Sequence, residues 1–164
     1  MKRLALALAL AAPLAACATV PITADAAHPE AKPYAEHRNA MAAVDTALAR
    51  AKQRGTRVLL VMGANWCHDS RALAGWLATP RFRAMTAQNY EVVFVDAGKP
   101  QEGKGHNIAV AQRFGIASLP GTPNLFVIRA DGSLVNADTV TSWRNAASRS
   151  ADAIFDELVA LAHA

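Results

Sequence analysis

The chain has 164 residues, with 17 basic and 13 acidic side chains and a formal charge of +4. That length suits one domain with a core of its own, and no basic cluster is interleaved with aromatics, which excludes a nucleic-acid-binding surface. Without Lys2 and Arg3, which belong to an apolar leader, the balance is 15 basic against 13 acidic side chains, a scattered excess that implies no charged partner.

The leader comes first in the chain. Met1-Lys2-Arg3 is a short positive start, and residues 4–12 form an apolar run too short to span a bilayer as a mature helix. Leu14-Ala15-Ala16-Cys17 then resembles a bacterial lipobox, in which lipid is attached to the cysteine and the leader is cut before it. An ordinary signal peptide cut after Ala24-Asp25-Ala26 is the alternative. The expected organisation is a signal peptide over 1–16, a lipid anchor on Cys17, a Pro-containing tether over 17–33 and one domain over 34–164. Ala18 after the cysteine implies an outer-membrane lipoprotein facing the periplasm. Cys67 would then be the one thiol of the mature chain, with no internal disulfide.

Along the domain, Tyr34, Met41, Val44, Leu48 and Ala51 mark one face of a helix over 34–54, with Gly55 as its C-cap. Residues 57–62 read as a buried strand, and Gly63, Ala64 and Asn65 as a turn. From Asp69 onward Leu73, Trp76 and Leu77 recur at helical spacing. Thr79-Pro80 closes that helix and opens another, with Phe82 and Met85 inward. Residues 90–96 are a second buried strand, and 97–106 a polar, Gly-rich loop. Asn107 caps a helix to Phe114 that turns Ile108, Ala111 and Phe114 inward. Residues 124–129 form a strand that Ala130-Asp131-Gly132 turns into a hairpin with 133–136. Residues 137–149 carry no assignable pattern. A closing helix near 150–162 buries Ile154, Phe155, Leu158 and Val159. A long crossover demands parallel strands and a tight hairpin antiparallel ones. The expectation is an α/β domain with a mixed sheet of about four strands and helices on both faces.

The chemistry concentrates at Cys67. It follows a strand and a turn and opens a helix, where unpaired N–H groups and the positive helix end favour a thiolate, the nucleophilic form. The alternative is a buried structural thiol. His68 in its cationic form would favour the thiolate further, unless it simply faces solvent. Asp69 supports the helix start.

Trp66-Cys67-His68-Asp69-Ser70 resembles the Trp-Cys-x-x-Cys signature of the thioredoxin superfamily, with serine in place of the second cysteine. The resemblance implies a three-layer thioredoxin-like fold over roughly 34–162. It also matches Pro123 to the family's cis-proline, with Pro120 as the competing position, and makes Trp66, Thr122 and Pro123 the substrate-contacting residues. Two departures matter. Ser70 cannot serve as a resolving thiolate, although its hydroxyl can bond the Cys67 sulfur. Val61 stands where typical thioredoxins carry a buried Asp. The implied activity is monothiol exchange, isomerisation or trapping by Cys67, with Ser70 and His68 assisting. The implied partner is a thiol- or disulfide-containing protein or a glutathione-type small thiol. The alternative function is a non-catalytic polypeptide-binding module of the cell envelope.

Two other constellations have plainer surface or packing roles. Residues 98–105 approach a phosphate-loop pattern, but Gly105 replaces the Ser/Thr that would bind magnesium, so a surface loop is expected. Cys67, His68 and Met62 would suit Cu(I), yet Met62 ends a buried strand and adjacent Cys-His chelates one ion poorly. His28, His37, His106 and His163 show no ligand spacing. The expectation is no metal and no cofactor.

Overall fold

The apolar strands expected at 57–62 and 90–96 lie side by side in one sheet. The computed structural model describes residues 28–36 and 39–164, so the leader, Cys17, the first part of the tether and His37 lie outside the described residues. The chain runs through α1 (Ala40–Arg54), β1 (Arg57–Gly63), α2 (His68–Leu77), α3 (Pro80–Asn89) and β2 (Tyr90–Asp96). A small hairpin follows, made of β3 (Gly98–Lys99) and β4 (Lys104–Gly105), then α4 (Ile108–Arg113), β5 (Asn124–Ile128) and α5 (Ala151–His163). The main sheet has the order β2-β1-β5. β1 pairs in parallel with β2, from Arg57 opposite Tyr90 to Gly63 opposite Asp96, and antiparallel with β5.

Period-two alternation along β1 divides the interior into two cores. Val58, Leu60 and Met62 point to the α1 and α4 side, among Val44, Ala47, Ala51, Phe114 and Phe126. Leu59 and Val61 point the other way, among Leu73, Leu77, Phe82, Trp143, Ile154 and Leu158. Both faces of the sheet are therefore covered, which gives the three-layer α/β architecture that the sequence predicts.

Three local expectations differ. The first helix begins at Ala40, where the Asn39 side chain accepts from the N–H of Ala42, six residues later than the apolar spacing suggests. Tyr34 instead belongs to the opposite core, edge-on to Phe94 at 5.6 Å between ring centroids. Residues 28–33 are also not a free tether. The Ala31 N–H donates to the Arg71 carbonyl at 3.1 Å, and Pro29 lies so close to Gly75 that a Cβ there would stand 2.0 Å from the Pro29 oxygen.

The third difference is the fourth strand, over 133–136, which shrinks to one bridge between Ile128 and Leu134. Asn136 explains this. Its buried side-chain amide accepts from the Val127 N–H at 2.8 Å and donates to the Leu125 carbonyl at 3.0 Å, so it satisfies the backbone that a neighbouring strand would. The unassigned stretch contains a 3-10 run, Ser142–Ser148, which inserts Trp143 into the second core.

Candidate active site

Cys67 is the N-cap residue of α2, with extended backbone (φ −82°, ψ 124°), and its sulfur makes no capping bond to the helix. The thiol donates instead to the Thr122 carbonyl oxygen at 3.4 Å. Thr122 precedes Pro123 through a cis peptide bond. The turn is pinned from behind, since the buried Asn124 side chain donates to the Gly121 carbonyl at 2.7 Å. The Thr122–Pro123 backbone thus lies across the sulfur, which leaves Cys67 only 8% exposed. The thiol is less open than its place at a helix start implies, because the covering loop lies 55 residues away in the chain.

Ser70 sits three residues into the helix, on the same face as Cys67 by helical spacing. It is wholly buried, and its hydroxyl has no hydrogen-bond partner among the described residues. The expected bond from Ser70 to the sulfur is therefore not formed while the thiol faces Thr122. The Ser70 carbonyl accepts from the Tyr34 hydroxyl at 3.1 Å. Burial, with the charge of a nearby Cys67 thiolate as a second cause, pushes the Tyr34 phenol far above its ordinary range. Tyr34 is locked to the turn by a reciprocal pair: its N–H donates to the Asn65 side chain and its carbonyl accepts from it. Gly63 makes this possible, because a Cβ there would stand 2.6 Å from the Tyr34 ring. Val61 is fully buried in the sheet, so nothing ionisable occupies that position.

Trp66 keeps 47% of its surface exposed beside the thiol. Its indole N–H donates to the Gly98 carbonyl at 3.0 Å, and the Lys99 ammonium stands 5.7 Å from the ring centroid. The stretch that approaches a phosphate-loop pattern is thus the β3–β4 hairpin, flanking a cleft of about 230 Å³ between Trp66, Asp96 and His106. In that cleft His106 Nδ1 lies 2.7 Å from the Asp96 carboxylate.

His68 is exposed at the start of α2. Its Nε2 stands 3.6 Å from Glu30 Oε1, and its ring packs on His28 at 4.6 Å between centroids. Asp69 has a structural partner, accepting from the Ala147 N–H at 2.9 Å and fastening the 3-10 run to α2. Arg71, for which the sequence alone gives no role, links these parts. It donates to Glu30 Oε2 at 2.9 Å and to the Trp66 carbonyl at 2.9 Å, joining residues 28–31 to the turn before the thiol. That hydrogen bond holds the Glu30 carboxyl below the usual glutamate range. An Arg at the i+4 position from Cys67 was the signal available; its acidic partner, 41 residues upstream, was not.

The architecture, the cysteine at a helix start and the cis-proline facing it define a thioredoxin-like domain. The thioredoxin-like family model matches residues 39–130, and the chain belongs to that family. Among solved structures, the chain is similar to a disulphide isomerase from Xylella fastidiosa Temecula1, at 33% identity and a TM-score of 0.72, over 80% of this chain and 97% of that one. Among curated proteins, no relative matches.

Proposed function

We propose that the protein carries out thiol–disulfide exchange in the cell envelope, with Cys67 acting as a single attacking thiol. The observation that carries this reading is the Cys67 sulfur set against the Thr122 carbonyl of the cis-proline segment, with the half-exposed Trp66 alongside. The Cys67 thiolate attacks one sulfur of a partner disulfide. A Cys67–partner disulfide forms, the partner's other sulfur leaves as a thiolate, and the Cys67 proton passes to solvent. A second thiol, from the partner or from a glutathione-type molecule, then attacks the mixed disulfide and frees Cys67. When both thiols belong to one partner, its disulfide is rearranged with no net oxidation, the activity of the solved relative. Ser70 has the free donor for the departing Cys67 sulfur, and Trp66, Thr122 and Pro123 form the surface on which a polypeptide rests. The same reading has the leader removed before Cys17, a lipid on that sulfur and the domain over the remaining chain facing the periplasm. The mass of the native protein checks that part.

One observation favours a second reading. Cys67 is far less exposed than Trp66, as suits a groove that binds polypeptides without chemistry. Incubation with oxidised glutathione separates the two. The exchange reading expects one glutathione added per chain, absent in Cys67→Ser. A wild-type chain that stays unmodified while still folded would leave only the binding module.

A further inference from the structure

We propose that His28, Glu30 and His68 form a binding site for a divalent first-row cation of the zinc or copper type, beside the thiol but separate from it. Each of the three offers one ligand atom, and these atoms lie within 4.8 Å of one another. Two imidazole nitrogens and one carboxylate oxygen are a donor set such ions prefer, and three protein ligands leave a fourth position open for solvent. In a tetrahedral site with bonds of about 2.0–2.1 Å, ligand atoms stand about 3.3 Å apart. His68 Nε2 and Glu30 Oε1 are already at 3.6 Å, and the two imidazole rings are tilted at 59° rather than stacked flat. Small side-chain rotations at the surface close the set.

Two further features point to a ligand. His28 Nδ1 is buried with no hydrogen-bond partner among the described residues, an arrangement that favours a ligand able to satisfy the ring. Arg71 holds both oxygens of the Glu30 carboxylate, donating from Nε to Oε2 at 2.9 Å and from Nη2 to Oε1 at 3.4 Å, and Oε1 also stands 3.6 Å from His68 Nε2. A carboxylate oriented by an outer hydrogen bond in this way is the usual support of a metal ligand. The scaffold is held as well. His28 and Glu30 flank Pro29, which is seated against Gly75, while Ala31 bonds to the Arg71 carbonyl. His68 opens the first turn of α2. The guanidinium of Arg71 offsets the carboxylate charge, which argues for modest rather than tight affinity. The Cys67 sulfur is not among the three ligands.

The test is a zinc titration of the purified, untagged Cys67→Ser chain in competition with a chromophoric chelator, which removes the thiol as a ligand. One ion per chain is expected. His28→Ala and Glu30→Gln should each weaken binding by at least about 10-fold, and His106→Ala should leave it unchanged. In the unsubstituted His28 and Glu30 background, the imidazole NMR signals of His28 and His68 should move on zinc addition and that of His106 should not. Absence of zinc binding in the Cys67→Ser chain overturns the proposal. So does undiminished affinity in His28→Ala or Glu30→Gln.

Discussion

Replacing Ser70 by alanine should move stability and chemistry in opposite directions. The Ser70 hydroxyl is wholly buried and unpartnered among the described residues. An orphaned buried hydroxyl costs about 1–3 kcal/mol, and its removal leaves a void of one oxygen, so a net gain of about 1 kcal/mol is expected. For a domain of this size that is a rise of about 3–5 °C in Tm. The same hydroxyl is the free donor for a Cys67 sulfur that departs as an anion. A hydrogen bond to a charged group contributes about 1.5–3 kcal/mol, and about 1.4 kcal/mol is tenfold in rate. Release of glutathione from the Cys67 mixed disulfide by dithiothreitol, followed by mass, should therefore slow about 10-fold in Ser70→Ala. A lower Tm would mean that the hydroxyl has a partner after all. A release rate within twofold of wild type would refute its role at the sulfur.

Ser70→Cys should convert the motif into a dithiol able to reduce insulin, because i and i+3 Cα atoms of a helix stand about 5 Å apart, inside the roughly 4.4–6.8 Å that a disulfide spans between Cα atoms; an inert variant would show that the groove is arranged differently. Tyr34→Phe removes the donor to the Ser70 carbonyl and should lower unfolding stability by about 1 kcal/mol in urea, without changing the m-value. Gly75→Ala should leave global stability near its starting value, as helix propensity offsets the clash, yet free residues 28–33 for proteolysis. The Glu30–Arg71 contact predicts a pH dependence of the same segment. The Glu30 pKa is lowered from 4.5 in the fold, so its contribution is present above the ordinary glutamate range and is lost as pH falls through the lowered value. Protection of residues 28–33 should fade in that acid window, and Glu30→Gln should be unprotected throughout.

Much of this molecule was legible where a residue's role depends on its neighbours in the chain. The apolar runs at 57–62 and 90–96 read as buried strands because both faces of the sheet are covered, and the short alphabet of caps and turns gives the start of α3 and both ends of α5 within a residue or two. The distance to the following turn favours Pro123 over Pro120, and the cis bond is at Thr122–Pro123. Contacts set by the tertiary fold were not legible. Tyr34 fits the apolar stripe of α1 by spacing, but its ring fills the gap that Gly63 leaves in the other core. His28 and His68 are 40 positions apart, and no periodicity links them; only the docking of residues 28–31 on α2 brings them together. The enclosure of Cys67 was equally hidden, because its cover is supplied by a distant loop.

Asn136 has a bearing on how the molecule meets other chains. Its amide takes the Val127 N–H and the Leu125 carbonyl, and the Val135 N–H and Val140 carbonyl take the other outward groups of the same two residues, so the positions that an added strand would need beside them are filled. Among the described residues, that leaves the outer rim of β2 as the side on which the main sheet is open to extension. A foreign β-segment that lengthens the sheet would have to approach there, alongside the exposed Val92.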